Sequence, residues 1–264
     1  KIFLIDTLDL VLKATYTFDG SFGFGSLLTI SPDGTKGYVS STGTGVVIKF
    51  DMATGNELGR LTNMQAPAQI TITKDGNTLL IVDSAANAVV IADASNMTVK
   101  ARVSPLTDYP AASFTIFNKV VLNADETKGV IGSQDSGSTA GCEVNAAFVF
   151  NPVTGEILET AAVGCTPGYT TFLPTGTYWF ILGQGNISQI PSWAPETSYV
   201  NKYGLGLPLG SANVLITPDA RYAYYALASS DVVVQQDIGT RAIVGSFLVG
   251  DNPNKVVDQA SSLA

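Results

Sequence analysis

The chain has 264 residues, 45% of them hydrophobic and 14% charged, with 22 acidic against 14 basic side chains for a net charge of −8. That composition can bury a sizeable core, and it lacks the basic surface that neutralises phosphates, so nucleic acid is excluded as an expected partner. There is no histidine, which removes the commonest metal ligand, the usual general base and every Ser-His-Asp or Cys-His mechanism; nor does any run of about 18 apolar residues mark a membrane span.

In chain order the sequence reads as a repeat of short strands. The opening KIFLIDTLDLVLKATYTF aligns, on Asp6, with VVIADASNMTVKARV around Asp93, so the chain begins at the third strand of a four-stranded unit. A complete unit follows: LLTI at 27–30, the turn SPDG, GYVSS, VVIKFD ending on Asp51, the turn ATGNE and the strand ELGRL. The second runs from QITI at 69–72 through TKDG and LLIVDS to VVIAD ending on Asp93. The third carries NADE at 123–126, FVF with Asn151 in the place of the aspartate, then PVTGE and EILET; the fourth carries LPTG at 173–176. The fifth has NVLI at 213–216, TPDA, YAYYAL and VVVQQD ending on Asp237, and PNKVVD at 253–258 occupies the first-strand place of one more unit.

The third positions of the first-turn motifs fall at 33, 75, 125, 175 and 219, spacings of 42, 50, 50 and 44. Asp-Gly between two β-prone runs signals a tight hairpin, and Gly55 and Gly155 in the later turns call for positive φ. Nothing reads as a helix of useful length. The expected fold is therefore all-β, a β-propeller of four-stranded antiparallel blades, since no unit of this size can bury both its faces alone.

The stretch SPDGTKGYVSSTGTGVVIKFDMATGNELGRL at 31–61 resembles the YVTN repeat of bacterial and archaeal surface and lactonase-like propellers, and VGDNPNKVV at 249–257 resembles the linker into its next blade. The likeness spans nearly the whole chain and fades in the third and fourth units. It implies a propeller; for function it implies only a family that includes adhesins, structural surface proteins and enzymes. Five full units plus one composite of the two chain ends make six blades in a single domain, 1–264. The composite blade falls nine residues short of the eighteen that separate the two markers elsewhere. Either it has three strands or the chain is trimmed from a longer one.

In such a blade the first strand lines a central channel, and the loops joining strands two to three and four to one open on the same face. Six residues before each marker lie Leu27, Gln69, Lys119, Tyr169, Asn213 and Lys255. This mostly polar column could hold an anion or a sugar; the alternative is a solvated channel lined by ordinary polar residues. The next column, Leu28, Ile70, Val120, Thr170, Val214 and Val256, reads as packing between blades. Two insertions enlarge the same face: 134–147 in the third unit and 183–199 in the fourth, each expected between strands two and three. Trp193, Tyr199 and Tyr203 supply flat surface there for a glycan or a protein partner, the alternative for Trp193 being that it packs its loop down.

Cys142 falls in the third unit's insertion and Cys165 in the linker to the next blade, so both are expected on this face. A disulfide between them is plausible; it would enclose 22 residues and stabilise by roughly 3 kcal/mol. Free thiols are the alternative. Oxidised cysteines imply a secreted or cell-surface setting. Asp33-Gly34 and Asp75-Gly76 read as turn residues, lacking the alternating oxygen ligands of a calcium loop, so neither metal nor cofactor is expected. Asn96-Met97-Thr98 and Asn186-Ile187-Ser188 are glycosylation sequons. The leading expectation is a non-catalytic secreted or surface propeller that binds a protein or glycan through its loop-bearing face. The rivals are a lactonase-like or metal-dependent hydrolase, for which Asp258 is the only acid near the channel, and a structural module of a larger surface assembly.

Overall fold

The computed structural model describes residues 1–6, 8–19, 22, 27–104, 114–116, 120–135, 146–163, 170–183, 186–192, 201–204, 213–227 and 230–250. At strand residues 114–116, 133–135, 162, 183, 186, 201–203 and 213 the description is of the backbone alone. Every element among them is a β-strand, and the strands form six antiparallel meander sheets, an all-β arrangement consistent with a β-propeller.

The chain divides into two compact units, Lys1–Ser104 with Val153–Gly155, and Pro105–Pro152 with Glu156–Ala264. In the first, β1 (Ile2–Ile5) and β2 (Leu12–Tyr16) form a two-stranded sheet, as the alignment on Asp6 requires. Two complete sheets follow: β3 (Leu28–Ile30), β4 (Lys36–Ser41), β5 (Val46–Asp51) and β6 (Glu57–Leu61); then β7 (Pro67–Ile72), β8 (Thr78–Asp83), β9 (Ala88–Asp93) and β10 (Thr98–Val103). The apolar residues alternate along each strand, so each sheet offers an apolar surface on both faces. In β4, Val39 faces the first sheet beside Tyr16, Phe18, Ile48 and Phe50, while Tyr38 faces the third beside Val47, Leu79, Ile81 and Val90. Each such aliphatic side chain stabilises by about 1.5–3 kcal/mol when fully buried, and so face-to-face stacking of sheets is the economical solution for a two-faced apolar strand.

The second unit repeats the arrangement. β11 (Phe114–Ile116) and β12 (Val121–Leu122) both pair with β13 (Gly129–Asp135), followed by β14 (Ala146–Phe150) and β15 (Ile157–Ala162). The first strand of this sheet is thus split: five positions separate Ile116 from Val121 while their partners Ser133 and Val130 are three apart. Then come β16 (Thr170–Phe172), β17 (Tyr178–Gly183), β18 (Asn186–Pro191) and β19 (Asn201–Gly204), and finally β20 (Asn213–Ile216), β21 (Tyr222–Leu227), β22 (Val232–Asp237) and β23 (Ile243–Leu248). In β17, Trp179 and Ile181 pack on Val130, Ala147 and Val149 of the sheet before, and Phe180 and Leu182 on Val214, Ala223 and Tyr225 of the sheet after.

One element differs from the sequence reading. NISQIP, with its polar residues and proline, was expected to belong to a loop between strands two and three. It is a strand, β18, joined to β17 by residues 184–185 only, and it buries Ile187, Ile190 and Ser188. Ile187 packs towards the sheet after and Ile190 towards the sheet before, so β18 is buried on both faces although its sequence is mostly polar. The long segment of this sheet is 192–200, between strands three and four. Residues 253–258, expected as a first strand, lie outside the described residues.

Candidate functional site

The two ends of each sheet differ in chemistry. At the end bearing the turns after strands one and three, the repeat residues form self-contained hydrogen-bond networks. Ser31 Oγ donates to Asp33 and accepts from the Lys36 amide; Thr73 with Asp75 and Thr78, and Thr217 with Asp219 and Tyr222, repeat the pattern, with Asn123 Oδ1 accepting from the Lys128 amide in the third unit. The turn then closes through Gly34 N–H to Ser31 O at 2.8 Å. The second marker works alike: Asp51 Oδ1 accepts from the amides of Ala53 and Thr54, and Asp237 from that of Thr240. A Ser/Thr-x-Asp spacing lets one short side chain satisfy amides that the turn leaves unpaired.

These bonds set the electrostatics. Ser31, then Thr35, hold Asp33 down to about 2, and Lys36, then Thr54, hold Asp51 down to about 2. Thr73 lowers Asp75 in the same way. Carboxylates held this low are poor general bases near neutral pH.

Within the first unit, the turns of two neighbouring sheets border a cleft of about 340 Å³ lined by Asp33, Lys36, Tyr38, Lys49, Lys74, Asp75, Asn77 and Ser95 among others. Lys36 is paired with Asp51 at 3.0 Å. Lys49, on β5, faces the neighbouring sheet and donates to Ala94 O at 2.8 Å and Ser95 O at 2.9 Å. Its burial lowers the ammonium pKa, Lys36 adding to the effect and Asp93 opposing it. Tyr38 Oη lies 3.5 Å from the same Ala94 O. The sequence carried one sign of this cleft that went unread: a lysine inside the otherwise apolar run VVIKFD, where VVIAD has Ile91.

The opposite end held the expected site. Of its residues, Gln69 lies half-buried on β7, Asn213 begins β20 opposite Ala226, and Tyr203 lies on β19 opposite Ile187. Lys119, Tyr169, Lys255, Trp193, Tyr199, Asp258, Cys142 and Cys165 lie outside the described residues. Trp193 and Tyr199 fall in the 192–200 connection, which leaves β18 where Ser192 bonds to Thr177 O and Gly176 O. That is the end of the strand-one turns, opposite to the end expected for it. Of the column expected to pack between blades, Ile70 and Val214 lie in clusters joining neighbouring sheets, Val120 and Thr170 are buried, and Leu28 is 44% exposed. Among the described residues no group of three or more His, Cys, Asp or Glu side chains could hold a metal ion, and no helix is long and apolar enough to cross a membrane.

No family model matches the chain, and no curated protein matches it. Among solved structures it is similar to Kuenenia stuttgartiensis hydrazine synthase, at 14% identity over 92% of this chain and 91% of that one, with a TM-score of 0.48.

Proposed function

We propose that the chain is a YVTN-type propeller that acts outside the cell or at its surface by binding a protein or glycan partner, without catalysis, through the long connections of its second unit. One observation carries the reading: residues 136–145, 163–169, 192–200 and 205–212 separate strands there, whereas in the first unit's complete sheets 42–45 and 84–87 suffice between strands two and three, 52–56 and 94–97 between strands three and four, and 62–66 from one sheet to the next. Long connections in a compact domain are more often functional than neutral. Of these, 192–200, which leaves its sheet at the end opposite to the other three, carries Trp193 and Tyr199, with Tyr203 on the strand beyond, and aromatic side chains bind sugars and proteins by burying flat surface. Cys142 and Cys165 fall in two of the same connections, and a bond between them suits an oxidising compartment.

The test is a glycan array and a lactone-hydrolysis assay on the parent and on a Trp193→Ala, Tyr199→Ala double variant. The expected result is glycan binding that falls about tenfold or more in the variant, in line with loss of a buried aromatic anchor, and no turnover by either protein. Binding unchanged in the variant overturns the placement. Lactone hydrolysis abolished by Asp258→Asn overturns the non-catalytic reading.

A further inference from the structure

The cleft of the first unit supports an inference independent of the long connections. Lys49 stands at the place in β5 that Ile91 holds in β9 and Val149 in β14, and those two are 0% and 1% exposed. Placing a lysine there costs desolvation of its ammonium, which the lowered pKa records. No carboxylate among the described residues lies within ion-pair distance of it; its two hydrogen bonds go to the carbonyls of Ala94 and Ser95. An ammonium has three donors, so one remains.

The cleft's two carboxylates keep their charge but take their hydrogen bonds within their own turns. Asp33 accepts from Ser31, from the Thr35 amide and from the Thr35 hydroxyl; Asp75 accepts from Thr73, from the Asn77 amide and from Asn77 Nδ2. Of the cations on its wall, Lys36 is neutralised by Asp51. Lys49 makes no ion pair among the described residues, and Asp93 acts on its ammonium only at longer range, in a protein whose net charge is −8. Around it the wall is lined by Tyr38, whose hydroxyl bonds to Ala94 O, by Asn77, whose Nδ2 donates to Asp75, and by Ser95, whose hydroxyl donates to Asp93 and can still accept. At about 340 Å³ the space matches the lower end of small-molecule pockets, roughly 300–1,000 Å³, and suits a single sugar ring.

We propose that this cleft binds a small oxyanion-bearing polar molecule of about monosaccharide size, its carboxylate or phosphate seated on the Lys49 ammonium and its hydroxyls on Tyr38, Asn77 and Ser95. A charge-assisted bond from a half-buried ammonium is stronger than a neutral one, and the neighbouring carbonyls hold the side chain in place before the ligand arrives.

The probes are glucuronate, glucose 6-phosphate, inorganic phosphate and neutral glucose, titrated by calorimetry and by the lysine ε-methylene NMR signals of the whole chain. Lys49→Met is the principal variant; an aliphatic side chain at this register already packs in β9 and β14, so it is expected to fold, with urea unfolding as the check. The expected result is saturable binding of at least one sugar anion with a shift of the Lys49 signal, weakened about tenfold or more by Lys49→Met and retained by Lys49→Arg. Glucuronate alone identifies a carboxylate ligand, glucose 6-phosphate alone a phosphate ligand. Three outcomes overturn the proposal: no sugar anion binding, equal binding by glucose or free phosphate, or equal binding by Lys49→Met. A lysine that serves only as a clamp on residues 94–95 would change the urea midpoint in Lys49→Met with no anion bound by the parent, so failure here is separable from failure at the long connections.

Discussion

The residue after the third position of each first turn takes a left-handed backbone. Gly34, Gly76 and Gly176 have φ of 71°, 73° and 77°, but the same place holds Glu126 at 59° and Ala220 at 55°. A side chain in that region crowds the following carbonyl and costs about 1–2 kcal/mol, which glycine avoids at some expense in unfolded-state entropy. Ala220→Gly is therefore expected to stabilise the protein by about 0.5–1 kcal/mol, read as a higher urea midpoint. Gly34→Ala is expected to destabilise by a similar amount although nothing lies within 4 Å of its added Cβ. A neutral result for both would show that these turns relax their backbone instead of storing strain.

At the scale of the element, sheets are tied together by what the connections bond to. The segment from β6 to β7 is latched by Asp83, at the end of β8 and 1% exposed. Its carboxylate accepts from the amides of Gln65 at 3.0 Å and Ala66 at 2.7 Å, with Arg102 at 3.9 Å. Ser84 completes the latch by donating its hydroxyl to Ala66 O. Removing the carboxylate leaves two backbone donors without their acceptor, and Asp83→Ala is expected to cost about 2–3 kcal/mol. Asp83→Asn, which keeps one acceptor oxygen, is expected to cost less. Equal urea midpoints for parent and Asp83→Ala would mean that solvent satisfies those amides. The glycines facing aromatic rings follow the same logic of close cross-strand fit: Gly37 lies opposite Phe50, and a Cβ on it would stand 2.2 Å from the ring.

At the scale of the whole molecule, the hydrogen-bonded aspartates among the described residues that are shifted act in one direction. Asp6, Asp33, Asp51, Asp75, Asp93, Asp125, Asp219 and Asp237 are all lowered by bonds to turn amides, hydroxyls or lysines. A carboxyl with a depressed folded pKa contributes stability above its unfolded value of about 4, and that contribution is lost as pH falls through the folded value. Glu159, raised by burial against the opposing pull of Lys128, works the other way. Eight against one predicts that the urea midpoint falls between pH 4 and about 2, the value to which Asp33 and Asp51 are lowered. The Asp33→Asn, Asp51→Asn variant should show a shallower fall. A midpoint flat over that window would show that the turns contribute nothing through these charges.

How much of this was legible in the sequence follows from the range of the forces involved. The strand positions around 31–34, 73–76 and 217–220 were readable because a Ser/Thr-x-Asp turn bonds only to itself, and the offset of the chain's start was readable because Asp6 repeats the bond pattern of Asp93. The strand at 186–191 was misread because Ile187 and Ile190, three apart, point to opposite buried faces and leave no period-two apolar pattern among its polar residues. For the functional site, the sequence by itself determined that histidine chemistry is absent and that aromatic residues collect in the long segments of the second unit. It did not determine the cleft beside Lys49, since that lysine meets Ala94 and Ser95 only across 45 residues of chain. Turn chemistry and strand period are local and were written in the sequence; which face of one sheet meets the next was decided by the tertiary structure, because packing between sheets depends on register and distance that no local pattern encodes.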